Sequence, residues 1–458
     1  MTRILFVIAV GLFAFTKITL ADSPNIIIIY TDDQGYQDVG VFGSPNIKTP
    51  NLDGMAEAGR KFTNYYVASS VCSPSRAALL TGCYPPRIGV TKVLFPRDRV
   101  GLNPQETTLA EILKSKGYAT AAVGKWHLGH HPKFLPTNHG FDSYFGIPYS
   151  NDMDAVKPNT NSVQGLDEAW KLGKEAIGFW NVPLMRNEKI VERPADQTTL
   201  TKRYTKEAVK FIERKRENPF FLYLAHTMPH IPLFVSEDFY IEDVKKAYQA
   251  TIQEIDWSVG RILNAVKRAG QNENTLIVFS ADNGPWLGKK HHGGAALPLR
   301  DGKFSQFEGG QRVACIMQWS GTIPASSECS EMASTIDLLP TIAGLAGVDI
   351  SSGPKIDGLN ILALMKGETL SVELKNRSFY FYRGTTLRAV RQGPWKYFFP
   401  GSRRNRTTPA QLYHLSSDIN EQTDRSADNP EVVERLSSTA IEFDEDLKNN
   451  RRPIGQLN

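Results

Sequence analysis

The run Asn25-Ile26-Ile27-Ile28-Ile29-Tyr30 has no polar face. Four consecutive β-branched residues favour a strand over a helix, and a strand apolar on both sides must be covered from above and below. Such a strand demands a sheet with a layer of helices on each face. The sequence supplies both in alternation. Residues 108–116 read as a helix stopped by Gly117 and 118–123 as the next strand; 204–216 as a helix and 220–225 as a strand; 244–269 as a long amphipathic helix ending at Gly270 and 275–280 as a strand. The expected fold is α/β, with a large, mostly parallel central sheet flanked by helices.

Near residue 377 the texture changes. Short strands at 377–383, 387–391, 395–399 and 411–415, separated by turn residues, precede a helix over 430–449. They predict a small C-terminal antiparallel sheet with a packed helix, a subdomain over 377–458 behind a larger α/β domain over 22–376. Residues 151–193 are long and irregular, expected as an insertion on the substrate side rather than a core element. There are no internal repeats or low-complexity tracts.

The chain opens with Arg3, an apolar stretch over 4–15 and the small-residue end Thr19-Leu20-Ala21. This is the pattern of a secretory signal peptide over 1–21, too short for a comfortable membrane span of about 20 residues. An exported protein follows, periplasmic or secreted, or lysosomal in type if the host is eukaryotic, with no stable membrane insertion. The formal charge of +5 includes Arg3 and Lys17 of that leader. The remainder is too balanced to argue for a nucleic-acid partner. Cys72, Cys83, Cys315 and Cys329 are the four cysteines. Export permits disulfides, and Cys315–Cys329 is the expected bridge if Cys72 is reserved for chemistry.

The first strand runs into Thr31-Asp32-Asp33-Gln34-Gly35, and the strand at 275–280 into Asp282-Asn283-Gly284. Adjacent carboxylates at the carboxyl end of a parallel strand stand where such sheets bind ligands. Alone, Asp-Asp-x-Gly reads as readily as a helix cap with a turn. If the two strands share a sheet, Asp32, Asp33, Asp282 and Asn283 meet as an all-oxygen set suited to Ca²⁺ or Mg²⁺.

Cys72-Ser73-Pro74-Ser75-Arg76-Ala77-Ala78-Leu79-Leu80-Thr81-Gly82 reads as a tight helix entry, with Ser73 as cap, Pro74 at the first helical position and Gly82 as the stop. Cys72 then sits where a helix terminus favours negative charge, and Arg76 adds a fixed cation one turn inside. A buried structural cysteine is the plain alternative for an isolated Cys. Lys125 and His127, in Gly124-Lys125-Trp126-His127-Leu128-Gly129, follow a strand and are two apart, so an extended backbone points them the same way. The strand at 220–225 runs into His226-Thr227-Met228-Pro229-His230-Ile231-Pro232, where two histidines compete for one role. Asp301-Gly302-Lys303-Phe304 precedes Glu308-Gly309-Gly310 and offers a lysine able to grip an anion. Ser150, in Gly146-Ile147-Pro148-Tyr149-Ser150, reads equally as a loop serine bonded to its own backbone.

The spacing C-x-P-S-R-x-x-x-L-T-G resembles the signature of the type I sulfatases, and Gly124–Gly129 resembles that family's second signature. Five motifs stand in family order across most of the chain, in the manner of the arylsulfatase A-like branch. The resemblance implies an alkaline phosphatase-like fold and a sulfuric ester hydrolase. Cys72 would be converted to formylglycine by a maturation enzyme and would join Asp32, Asp33, Asp282 and Asn283 around a metal, usually calcium. It further implies that the formylglycine hydrate attacks sulfur, that Arg76, Lys125 and Lys303 stabilise the charge, that His230 protonates the leaving alcohol, and that His127 acts on the hydrate. Lys125, Ser150, His230 and Lys303 would contact substrate, with His226 structural. The substrate would be an aryl sulfate in the test tube and a sulfated carbohydrate in nature. A phosphonate or phosphodiester hydrolase of the same superfamily, or a non-catalytic binder of sulfated glycans, are the alternative readings.

His291-His292, His130, His131 and His139 are expected at the pocket rim; without further partners at suitable spacing they do not predict zinc. Asn376-Arg377-Ser378 and Asn405-Arg406-Thr407 are glycosylation sequons.

Overall fold

A computed structural model describes residues 23–214, 216–403 and 406–457. The expected leader and Asn405 lie outside the described residues; Asn376 is exposed. The isoleucine run is strand Asn25–Thr31, buried along its whole length. It lies inside an eleven-stranded sheet. Thr275–Ala281 and Phe220–Ala225 flank it in parallel, and Ala119–Gly124 and Ser143–Gly146 continue the parallel block. Antiparallel strands close the sheet: Arg312–Gln318 beside Thr275–Ala281, and Leu184–Arg186 beside Ser143–Gly146.

Alternation along the first strand divides the core. Ile27 and Ile29 pack with Tyr204, Ala208, Ile252 and Ile255 of helices Leu200–Glu213 and Ala247–Arg268. Ile26, Ile28 and Tyr30 face the opposite layer, with Leu79, Leu80, Leu109, Leu113 and Ile342. Each buried isoleucine contributes about 1.5–3 kcal/mol relative to exposure. Helix Leu200–Glu213 starts before the expected residue 204 because Leu200 already belongs to the buried stripe continued by Tyr204, Ala208 and Ile212. Thr108 caps helix Leu109–Ser115 in a reciprocal bond with Glu111.

The C-terminal region is the expected antiparallel sheet, in the order Ser378–Arg383, Thr386–Gln392, Trp395–Phe398, Gln411–His414. Helix Pro430–Asn449 packs on it, and Tyr66, Ala78, Tyr84 and Ile336 of the larger region complete that core. Among the described residues no helix is long and apolar enough to cross a membrane.

Two expectations fail here. Residues 151–193 are not an irregular insertion outside the core: they hold helix Val163–Leu172 and an edge hairpin of the main sheet, and Leu166, Trp170, Trp180 and Leu184 are core residues. The apolar residues are spread over several short elements, so no single period reveals them. The Cys315–Cys329 bridge is absent, and all four cysteines are free and buried. Cys315 and Cys329 lie opposite the same residue, Phe62, on the two strands that flank it. Two strand spacings separate them, about 9.6 Å, beyond the roughly 7 Å a disulfide can bridge.

Candidate active site

Four parallel strands end at one level. Thr31 pairs with Ala281, Tyr30 with Ala225, and Gly124 with Ala225. Asp282 N–H donates to Thr31 O at 3.0 Å and Lys125 N–H to Ala225 O at 2.7 Å, so the ladder carries directly into the next residues. Asp32-Asp33, Asp282-Asn283, Lys125 and the His226–Pro232 loop therefore leave the sheet side by side at its carboxyl edge. Gly124 has φ 107°, and a Cβ there would stand 1.8 Å from Ala225 O; only glycine permits the chain to turn that closely past its neighbour. Asp33 and His127, at φ 58° and 59°, also hold left-handed backbone that costs a non-glycine residue energy and marks functional turns.

Helix Cys72–Thr81 points its first turn at this edge and ends at the left-handed Gly82. Ser73 is not the cap: the helix starts at Cys72, two residues before the expected Pro74, with Val71 at the cap, and the Ser73 hydroxyl instead accepts from Leu94 N–H at 3.1 Å. Cys72 is 2% exposed, its Sγ 3.5 Å from Asp32 Oδ1 and 3.6 Å from Lys303 Nζ. Burial, reinforced by Asp32, holds its thiol well above the usual range, so it is no thiolate nucleophile at neutral pH.

The remaining groups close around it. Lys125 Nζ donates to Asp32 and, at 3.1 Å, to Ser150 Oγ. Lys303 Nζ meets Asp33 Oδ2 at 2.7 Å, and its backbone N–H is tied to Pro285 O at 2.9 Å, so the Asp282-Asn283 turn carries Lys303 with it. His230 donates from Nδ1 to Ile231 O at 2.7 Å and holds Nε2 3.6 Å from Asp33 Oδ2. Ser150 Oγ lies 3.3 Å from His230 Nδ1; it bonds site residues, not its own backbone. His127 Nε2 is 2.9 Å from Leu94 O, an acceptor only, so the proton sits on Nε2 and the buried, unpartnered Nδ1 keeps its lone pair. Burial, then Lys125, holds His127 well below the usual imidazole range; burial, then Lys303, does the same to His230.

The acidic groups divide. Burial raises Asp32, but Lys125, His230 and Arg76 more than offset it, and it stays ionised. Asp33 is raised by burial, and Asp282 by burial and the charge of Asp32. Asn283 Nδ2 donates to Asp33 at 2.7 Å while its Oδ1 is buried without a partner. Asp32, Asp33, Cys72 and His230 each bring a donor atom within 4.8 Å of the others. Three buried carboxylates and an orphaned amide oxygen fit a hard divalent cation better than a thiolate-seeking one.

Arg76 is fully buried, with Nε 2.9 Å from Asp282 Oδ2, Nη1 3.0 Å from Lys125 O, and Nη2 within ion-pair reach of Asp282 and Asp32 but without a hydrogen bond among the described residues. His226 bonds Ser258 on helix Ala247–Arg268, outside the cluster. His139 is not at the rim; it is buried against Trp126, held to about 4 by burial. His130 and His131 stack on each other, with His130 against Tyr149. Two neighbours were not foreseen. Asp152 Oδ1 is unpartnered 4.0 Å from His230 Nδ1, and the Trp286 ring lies 4.5 Å from Lys303 Nζ and 5.8 Å from the His230 ring. Their positions two residues after Ser150 and three after Asn283 were the available signal.

A buried cluster of carboxylates and lysines at the carboxyl edge of an α/β sheet defines a class of enzymes that handle tetrahedral anions. Residues 24–348 match the sulfatase family model, and the chain belongs to the sulfatase family, in its arylsulfatase A-like branch. It is 37% identical to human arylsulfatase A over 422 residues, 88% of this chain and 80% of that one. With N-acetylgalactosamine-6-sulfatase of Mus musculus it shares 38% over 387 residues, 81% of this chain and 71% of the relative. The crystal structure of Ps i-CgsB in complex with k-i-k-neocarrahexaose superposes with a TM-score of 0.79 at 34% identity, covering 92% of this chain and 93% of that one. The protein is a sulfuric ester hydrolase.

Proposed function

We propose that this exported enzyme hydrolyses sulfate monoesters on carbohydrate through Cys72, matured to formylglycine by a maturation enzyme, and a calcium ion held by Asp32, Asp33, Asp282 and Asn283. The observation that carries the reading is the setting of Cys72: a buried, protonated thiol at a helix start, within 3.6 Å of both Asp32 and Lys303. As a thiol it is a poor nucleophile there, yet every neighbouring group is arranged for chemistry on an anion. When present, the cation supplies neutralisation of sulfate oxygens and the hydrated aldehyde supplies a hydroxyl nucleophile.

The chain's own residues do the rest. Lys125 and Lys303, brought from two different loops, flank the position of Cys72 and stabilise charge on the sulfate oxygens. Ser150 bridges Lys125 and His230 and keeps both aimed at the ester. His230, anchored by its Nδ1–H on Ile231 O, presents Nε2 toward the ester; in its imidazolium form, with Asp33 Oδ2 3.6 Å away as counter-ion, it carries on Nε2 the proton that the leaving oxygen takes up. His127, its tautomer set by Leu94 O, offers Nδ1 as the base toward residue 72. Arg76 pins Asp282 and the Lys125 backbone so that the geometry survives charge redistribution. Carbohydrate as the substrate is supported by the sugar named for the mouse relative and for the Ps i-CgsB complex.

The test is the mass of the tryptic peptide 62–76 from protein made in its natural host. An aldehyde or its hydrate at position 72 is expected, together with release of sulfate from aryl sulfates far faster than phosphate from aryl phosphates. An unmodified thiol in fully active enzyme overturns the reading.

A further inference from the structure

Helix Val163–Leu172 and the turn Leu287–His292 bring together three side chains that the sulfatase chemistry does not use. His291 Nε2 lies 2.7 Å and His292 Nε2 2.8 Å from the same oxygen, Asp167 Oδ1. The donor atoms of all three stand within 4.8 Å of one another. We propose that Asp167, His291 and His292 form a second metal site, for a divalent transition ion of the zinc type, that clamps the helix to the active-site loop.

Two imidazoles and one carboxylate are borderline donors, which favour zinc-type ions over the hard cation suited to the all-oxygen set. Burial grades across the cluster: the side chain of His292 is 1% exposed, His291 25% and Asp167 30%. An ion would thus be gripped from within and keep one side open to water, the three-ligand arrangement zinc accepts. Directing two consecutive histidines at one oxygen requires unusual backbone. Lys290, immediately before them, has φ 55° and ψ −122°, a region that disfavours any side chain. The neighbouring cation is turned away, since Lys289 Nζ donates to Asn161 O at 2.6 Å and lies over the Trp286 ring. Among the described residues neither imidazole has another hydrogen bond that would account for its placement, and the His292 Nδ1 is buried without a partner. The same turn follows Trp286, the ring beside Lys303 and His230. An ion here therefore fixes one wall of the active site to helix Val163–Leu172.

Full-length enzyme saturated with Ca²⁺ and titrated with Co²⁺ tests this. One equivalent of Co²⁺ is expected, with d–d absorption that Zn²⁺ abolishes and with Ca²⁺ content unchanged by elemental analysis. His291→Gln and Asp167→Asn, both at part-exposed positions, are each expected to lose that equivalent while retaining Ca²⁺ and a cooperative melt. Zn²⁺ raises the melting temperature of the wild type and not of the variants. Failure of the wild type to bind Co²⁺, or retention of the band in either variant, overturns the proposal; retention would place the ion at the Asp32–Asp33–His230 cluster instead.

Discussion

Two clusters of buried charge lie in this molecule, and they are balanced differently. Where the C-terminal sheet meets the main domain, Glu308 accepts from the Tyr66 hydroxyl and pairs with Lys396 at 2.9 Å, Arg312 at 3.3 Å and Arg391 at 3.6 Å. Lys396 also holds Glu421 at 2.9 Å. Burial raises Glu308, but its three cations more than reverse this and pull it to about 2. At the carboxyl edge of the main sheet, Asp32, Asp33, Asp282 and Asp152 face Arg76, Lys125 and Lys303, with Lys289 a further cation toward Asp152, and Asp33, Asp152 and Asp282 are raised, burial first. At the interface Glu308 is over-compensated and burial raises its neighbour Glu421 to about 7, and ion pairs that join the C-terminal sheet to the main domain give this cluster a cohesive role. At the sheet edge three of the four carboxylates are held at raised values, which suits that cluster to a divalent ion.

Substitutions in each cluster should separate these roles. The largest effect is expected at Cys72→Ala: turnover of an aryl sulfate falls more than about a thousandfold, as for loss of a covalent nucleophile, with the melting temperature nearly unchanged. A matched loss of stability and activity would break the contrast. Glu308→Gln should do the opposite. It removes the carboxylate shared by Lys396, Arg312 and Arg391, leaving Lys396 with Glu421 alone, and lowers unfolding stability by about 3–5 kcal/mol in denaturant titration, while kcat of the folded fraction stays close to wild type.

A third kind of buried carboxylate sharpens the comparison. Glu254, on helix Ala247–Arg268, has no ion-pair partner among the described residues and accepts from Ser236 N–H at 3.2–3.4 Å. Burial raises it to about 7. Its folded form holds a proton that the unfolded chain loses near 4.5, so stability is fully present below 4.5 and falls as pH rises to about 7. Glu254→Gln should remove that slope and stabilise the protein by roughly 3 kcal/mol at pH 8. Equal pH dependence in variant and wild type would refute it. The smallest effect belongs to Ser150→Ala, which deletes the bridge between Lys125 and His230. We expect about a tenfold fall in kcat/KM, on the order of one hydrogen bond to charged groups, with stability retained.

The legible parts of this protein were those written locally. The isoleucine run announced a strand buried on both faces, and Asp32-Asp33 and Asp282-Asn283 followed such strands directly, so parallel pairing alone was enough to bring them together. Helix Pro430–Asn449 was readable from Pro at its start and its apolar stripe. The cap of the Cys72 helix was misread because Ser73 finds a better partner in Leu94, 21 residues away.

Sequence by itself determined the class of fold and the helix start and loops that carry Cys72, Lys125, His127, His230 and Lys303, because each motif sits next to the strand or helix that delivers it. Tertiary structure alone decided the rest. It placed Cys315 and Cys329 on opposite sides of Phe62, tied Arg76 Nε to Asp282, and drew residues 151–193 into the core. It also set Asp167 against His291, 124 residues along the chain. Those outcomes depend on strand register and on which buried charges find partners, and both are properties of the closed sheet that no local pattern encodes.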